Sequence, residues 1–173
     1  MNLFFRFLWL MTMGRLRTPC HPLGPCRTPF RVLPTDLDLQ RHVNNGVYLS
    51  MMDLARIDLL QRAGLLRRIQ AKGWYPVVTA QTIQYRRSLT LFQRFEIVTR
   101  VLAWDDKTIL LEQQFERGAE TIAHGLVRGR FLSRGGSVPL TELIVMAGNP
   151  QPPTDVPEYA LRWNTDQESW QGR

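Results

Sequence analysis

Between Asn44 and Gly64 apolar residues recur at helical spacing. Tyr48, Met52, Ala55 and Leu59 form one line, with Val47, Met51 and Leu54 beside it. The arc is wide, which predicts a helix of about 20 residues, roughly 30 Å long, buried on most sides. Asn44 and Asn45 are N-cap candidates and Gly64 is a C-terminal stop. From Tyr75 onward the period changes to two. Tyr75 to Arg87, Arg94 to Trp104, Lys107 to Gly118 and Glu120 to Arg134 all read as strands. Asp105-Asp106 and Arg117-Gly118-Ala119 are short connections, so these strands should be consecutive and antiparallel. A single sheet buries such a helix only by curling around it. The expected fold class is therefore α+β, one long central helix wrapped by a curved antiparallel sheet.

The flanks read differently. "MNLFFRFLWLMTMGRLR" is apolar from Leu3 to Met13 but too short for a spanning helix, which needs about 20 apolar residues. It lacks the basic start of a signal peptide, and no small-residue cleavage site follows before Cys20. It is expected either to pack on the domain or a partner subunit, or to touch a membrane surface through residues 1–17, with Arg15 and Arg17 adjacent. Prolines 19, 22, 25 and 29 then mark an extended arm. "FRVLP" (Phe30 to Pro34) suggests a short strand, "LLRRIQAKGW" a short second helix, and the stretch after Gly135-Gly136 another near Pro139. From Asn149 a Pro-rich tail is expected to be loosely held. The division is 1–29 for the apolar segment and arm, 30–147 for the domain, and 148–173 for the tail. No internal repeat or second domain is visible.

A chain of 173 residues with 44% hydrophobic and 21% charged residues suits one ordinary globular domain. Its net charge of +7 could answer nucleic acid, a membrane surface or an anionic small molecule. Arg67-Arg68 and Arg86-Arg87 are the only adjacent basic pairs, so a nucleic-acid partner would rest on net charge alone and is not expected. Cys20 and Cys26 are too few for a disulfide scaffold and lack zinc-site spacing; two incidental thiols in a reducing cytoplasm are expected. The three histidines are scattered, and Asp36, Asp38 and His42 make a poor metal set. No metal or other cofactor is expected.

The chemistry-bearing stretch is "PTDLDLQRHVNN", immediately before the long helix. A carboxylate there can act as nucleophile or as a base that activates water. The free N–H groups of a helix N-terminus suit a developing oxyanion. Equally, Asp36 and Asp38 could only accept backbone N–H bonds in the turn, and Asn44 and Asn45 could only cap.

The order Asp36-x-Asp38-x-x-x-His42-Val43-Asn44-Asn45-x-x-Tyr48 at the start of a sheet-wrapped helix resembles the hotdog-fold acyl-CoA thioesterases. It is similar to the 4-hydroxybenzoyl-CoA thioesterase-like superfamily. "NNGVYLSMMDLAR", "GWYPVV", "YRRSLTLFQRFEI" and "RGGSVP" resemble the branch around thioesterase superfamily member six. The resemblance covers about residues 30 to 146. It implies hydrolysis of an acyl-CoA thioester, with acyl-CoA bound where subunits of a homodimer or homotetramer meet. It makes Asp38 the catalytic carboxylate, with N–H groups near Asn45 polarising the carbonyl and His42 bracing the turn or orienting substrate. Asn44 and Tyr48 would contact substrate, and Arg86, Arg87 and Arg134 the CoA phosphates, with Arg128 and Arg130 also available. Asp53, inside the helix, is the second candidate carboxylate, and could instead pair with Arg56. His124 is expected to be structural. The alternative function is a non-catalytic hotdog protein that binds acyl-CoA or acyl carrier protein. A hydratase would need a proline within an Asp-to-His motif, which "DLQRH" lacks.

Overall fold

A six-stranded antiparallel sheet curls around one helix in the computed structural model. The structure describes residues 2–171, apart from the side chains of residues 2, 3, 13, 15, 168, 170 and 171. Expectations resting on Leu3, Met13 and Arg15 therefore fall outside the described side chains. In chain order the elements are α1 (Asn2–Met13), β1 (Cys26–Arg31), α2 (Asn45–Arg62), α3 (Leu66–Ala71), β2 (Tyr75–Tyr85), β3 (Arg94–Trp104), β4 (Ile109–Arg117), β5 (Glu120–Ser133), β6 (Gly136–Val138), α4 (Leu140–Met146) and α5 (Glu158–Gln171). The spatial order is β1-β3-β4-β5-β2, with β6 on the end of β5. This is the hotdog fold. Register shifts at Val78/Ala80, Val101/Ala103 and Phe115/Glu116 insert bulges, which sharpen the twist and let the long strands bend around α2.

The helix is buried as its wide apolar arc requires. Tyr48, Met51, Met52, Ala55 and Leu59 pack on Ile97, Val101, Phe115 and Val127 of the sheet. Closest approach falls at Gly125 of β5, where a Cβ would lie 2.6 Å from Met52 Cε and 3.1 Å from the Thr82 carbonyl. Glycine there leaves room for the Met52 side chain against the strand. Asp58 of α2 is also fully buried, and its Oδ2 accepts from Thr28 Oγ1 at 2.8 Å, with Arg62 at 3.3 Å and Arg17 at 3.4 Å. That carboxylate ties β1 and the segment after α1 to the helix.

This anchoring explains two departures from the sequence reading. The first strand runs from Cys26 to Arg31, not from Phe30, because Thr28 must reach Asp58 and Pro29 is tolerated on an edge strand. The supposed arm thus contributes the sheet's outer strand. Its two cysteines are free thiols that meet beside Asp58, and the Cys26 thiol is pushed up by its hydrogen bond to Cys20 and by burial.

The tail is ordered as well. Ala160 of α5 is fully buried against Leu102, Leu110 and Leu126 on the outer face of the sheet, flanked by Val156 and Trp163. Tyr159 donates from α5 to Glu112 of β4, which also faces His124 Nε2 at 2.7 Å and pairs with Arg100. Glu112 is 1% exposed. Burial pushes its pKa up, but bonds from His124, Tyr159 and Arg100 outweigh that and bring it down to about 2. A carboxyl depressed in the folded state stabilises above its unfolded value, and that contribution is lost as pH falls. Glu112→Gln should cost about 1–3 kcal/mol at neutral pH. The difference from wild type, read from urea midpoints, should shrink between the ordinary value of 4.5 and about 2.

Candidate functional site

The turn ahead of α2 is built almost wholly from its own polar groups. Asp36 is 1% exposed; its Oδ2 accepts from the Leu33 N–H at 2.7 Å and from Arg6 of α1. Its carbonyl accepts from the Asn44 N–H at 2.9 Å. Between these anchors the chain doubles back: the Asp38 N–H donates to the His42 carbonyl at 2.8 Å and the Arg41 N–H to the Asp38 carbonyl at 3.0 Å. Arg41 takes a left-handed φ of 61°, which closes the turn. His42 bridges to Thr90, and the Val43 N–H donates to the Leu89 carbonyl at 2.9 Å, so the turn is clipped to the β2–β3 connection.

Asp38 is exposed at the tip of this turn. Its Oδ1 accepts from the Gln40 N–H at 2.8 Å and the His42 N–H at 3.2 Å. Two backbone donors thus fix the carboxylate's orientation, and Oδ2 remains open among the described residues. Asn44 caps the helix: its Oδ1 accepts from the Gly46 N–H at 2.9 Å. Tyr85, ending β2, donates to the Asn45 carbonyl at 3.1 Å. The Val47 N–H is taken by the Asn44 carbonyl at 2.9 Å. Among the described residues nothing accepts from the Asn45 N–H, which leaves an open donor at the positive end of an 18-residue helix.

The remaining candidates separate by position. Tyr48 is 2% exposed, with its ring 5.1 Å from both Tyr85 and Phe115, so it packs the core beneath the turn. Arg86 and Arg87 follow Tyr85 at the same end of the sheet; both are exposed, and Arg87 Nε lies 3.3 Å from Glu120. Arg134 sits in the β5–β6 turn, beyond the far end of β5. Tyr85 faces Ala123 in the β2–β5 register, so Arg134 follows up to about 36 Å of strand farther along within one chain. Arg128 is buried with Asp105 and Thr108, which removes it from any phosphate site. His124 is occupied by Glu112.

Asp53 lies elsewhere, at an apolar cavity of about 280 Å³ between α2, β2, β5 and α4. Ile57, Leu60, Val77, Val127, Phe131 and Ile144 line it. Two turns and more of helix separate Asp53 from Asn45, about 12 Å along the axis. Asp53 is exposed and pairs with Arg56, whose Nη1 also donates to Gln113 Oε1 at 2.6 Å. Gln113 is fully buried, and its amide donates to the Met52 carbonyl and to Thr99 Oγ1, both at 3.0 Å. Burial lowers the Arg56 pKa, and Asp53 opposes that. The periodicity reading missed Gln113 and Tyr85. Gln113 had a signal: it shares the inward register of Leu111 and Phe115, where a polar side chain needs partners.

Residues 32–163 match the family model described as the thioesterase-like superfamily. Protein THEM6 of Xenopus laevis is 48% identical over 84 residues, 49% of this chain and 41% of that protein. Protein THEM6 of Drosophila melanogaster is 33% identical over 135 residues, 77% of this chain and 68% of that protein. The chain spans about half the length of the two vertebrate relatives it matches. Among solved structures, a thioesterase from Thermus thermophilus complexed with coenzyme A and Zn superposes with a TM-score of 0.62 at 30% identity, over 72% of this chain and 92% of that one. With a matching family model over most of its length, the fold of its neighbours and an N-capped, sheet-wrapped helix behind the motif, this chain belongs to the thioesterase-like superfamily.

Proposed function

We propose that the protein is an acyl-CoA thioesterase in which Asp38 activates the attacking water. The observation that carries this is the turn itself. A solvent-facing carboxylate is held by two backbone N–H groups, close in sequence to the unpaired Asn45 N–H at the start of α2. In the proposed step, water gives its proton to Asp38 Oδ2 and its oxygen attacks the thioester carbonyl carbon. The oxyanion that forms is met by the Asn45 N–H and the helix dipole. Collapse breaks the C–S bond, and the departing thiolate of CoA recovers the proton. The products are a carboxylic acid and CoA. His42 serves here as a brace, because its backbone holds Asp38 from both directions.

The acyl chain is assigned to the apolar cavity, and the assembly that joins cavity to turn is a homodimer through β2. That strand is an 11-residue sheet edge without a charged residue, and Tyr75, Val78 and Tyr85 are exposed on it. Such an edge is a template for pairing. Antiparallel pairing of two copies sets the Tyr85 end of one, beside its Asn45 turn, against the Tyr75 end of the other. That end carries the cavity residues Pro76, Val77 and Val78, and leads to Arg134. The distance between Arg134 and Asp38 within one chain then ceases to separate them.

Asp38→Asn should lower kcat roughly 10²–10⁴-fold on the best substrate of an acyl-CoA panel, with acyl-CoA affinity retained. Equal release of free CoA by both proteins would remove Asp38 from the mechanism. A wild type that binds acyl-CoA without hydrolysing any chain length would instead make this a binding protein. Ile144→Trp, which fills the cavity, should move the preferred chain length downward. Each methylene no longer accommodated should cost about fourfold in kcat/KM, read across an acyl series.

A further inference from the structure

The surface where α1 meets the β1 edge holds features that neither the fold nor hydrolysis uses. α1 lays Leu10 on the body and leaves Phe4, Phe5, Leu8 and Trp9 half or more exposed. Phe92, on the β2–β3 connection, is 53% exposed and adopts a φ of 63°, a conformation that costs a bulky side chain. Arg31 joins the two aromatic groups. Its carbonyl accepts from Arg6 of α1 at 2.9 Å, its guanidinium lies 5.2 Å from the Phe92 ring centre, and its Nε donates to the Phe92 carbonyl at 3.2 Å.

Arg31 also stands directly opposite Arg94 in the β1–β3 register. Like charges so placed repel. Both are exposed, and among the described residues neither has a carboxylate partner. The pair stands at an apolar groove of about 540 Å³ between α1 and β1, walled by Phe5, Trp9, Pro29 and Phe30. An exposed aromatic helix, a strained exposed phenylalanine and two uncompensated arginines share one surface.

We propose that this surface docks on an anionic lipid bilayer. α1 lies flat with its aromatic residues at the boundary of headgroups and acyl chains, and Arg31 and Arg94 meet anionic headgroups. The 12 described residues of α1 span about 18 Å, and in the proposed docking they lie along the interface with their aromatic side chains at its boundary. No helix among the described residues is long and apolar enough to cross a membrane. A twofold contact centred on the arginine pair would bring four like charges together, so an anionic surface fits this pair better than a second copy so placed. The docked helix is linked to the turn, since Arg6 pairs with the buried Asp36 two residues before Asp38.

Co-sedimentation of the full chain with phosphatidylcholine vesicles, with and without phosphatidylserine, tests the proposal without reference to activity. The protein should bind preferentially to the anionic vesicles. Arg31→Ser with Arg94→Ser should weaken that binding roughly 30-fold, about fivefold for each arginine removed. Phe92→Gly removes the aromatic contact and the backbone strain together. It should weaken vesicle binding while the unfolding midpoint holds or rises. Equal binding to both vesicle types, or binding unchanged in the double arginine variant, would overturn the proposal. So would a concentration-dependent self-association that Phe5→Ser abolishes, which would place a second copy on this face.

Discussion

Everything in this protein depends on enclosing α2. An 18-residue helix with apolar residues around most of its circumference cannot lie on a surface, so the sheet bends around it through bulges and a glycine contact. Enclosure buries the middle of the helix and leaves its first residues, Asn45 and Gly46, exposed. At the N-terminal end Asn44 and the turn it closes leave one backbone donor open, and the motif carboxylate sits on that same turn. Fold and candidate chemistry therefore share one cause.

Polar groups buried around this core act as fasteners for the segments outside it. Asp58 gathers Thr28, Arg62 and Arg17 and holds the outer strand. Glu112, on the opposite face of the sheet, gathers His124, Arg100 and Tyr159 and holds the last helix. Asp36 takes Arg6 and fastens the first helix to the turn that carries Asp38. A buried carboxylate is tolerated only with such partners, and removing one partner leaves a charge without compensation.

Much of this was legible in the residues. The change of period at Tyr75 marks where helices give way to strands, and the strand limits from Arg94 to Trp104 follow directly from alternation. The N-cap at Asn44 was visible because the side chain that caps is local. What escaped was non-local. Nothing in the proline-rich arm announces that Thr28 will find Asp58 thirty residues later and so become part of a strand. The tail looked loose because its few apolar residues, Val156, Ala160 and Trp163, gain meaning only against the outer face of the sheet. Arg134 and Asp38 were grouped by chemistry, yet a single chain holds them far apart because β5 runs the length of the sheet.

The central claim is that the open Asn45 N–H receives the thioester oxygen, and Asn45→Pro compared with Asn45→Ala isolates that donor. Proline is accepted at the first position of a helix, and Asn44, at φ −59° and ψ 136°, already has the conformation that a following proline requires. The substitution removes one N–H and leaves the helix intact. The account predicts an unchanged melting temperature and acyl-CoA affinity, with kcat lower by roughly 10²–10³-fold. A folded Asn45→Pro protein that hydrolyses acyl-CoA at the wild-type rate would contradict it.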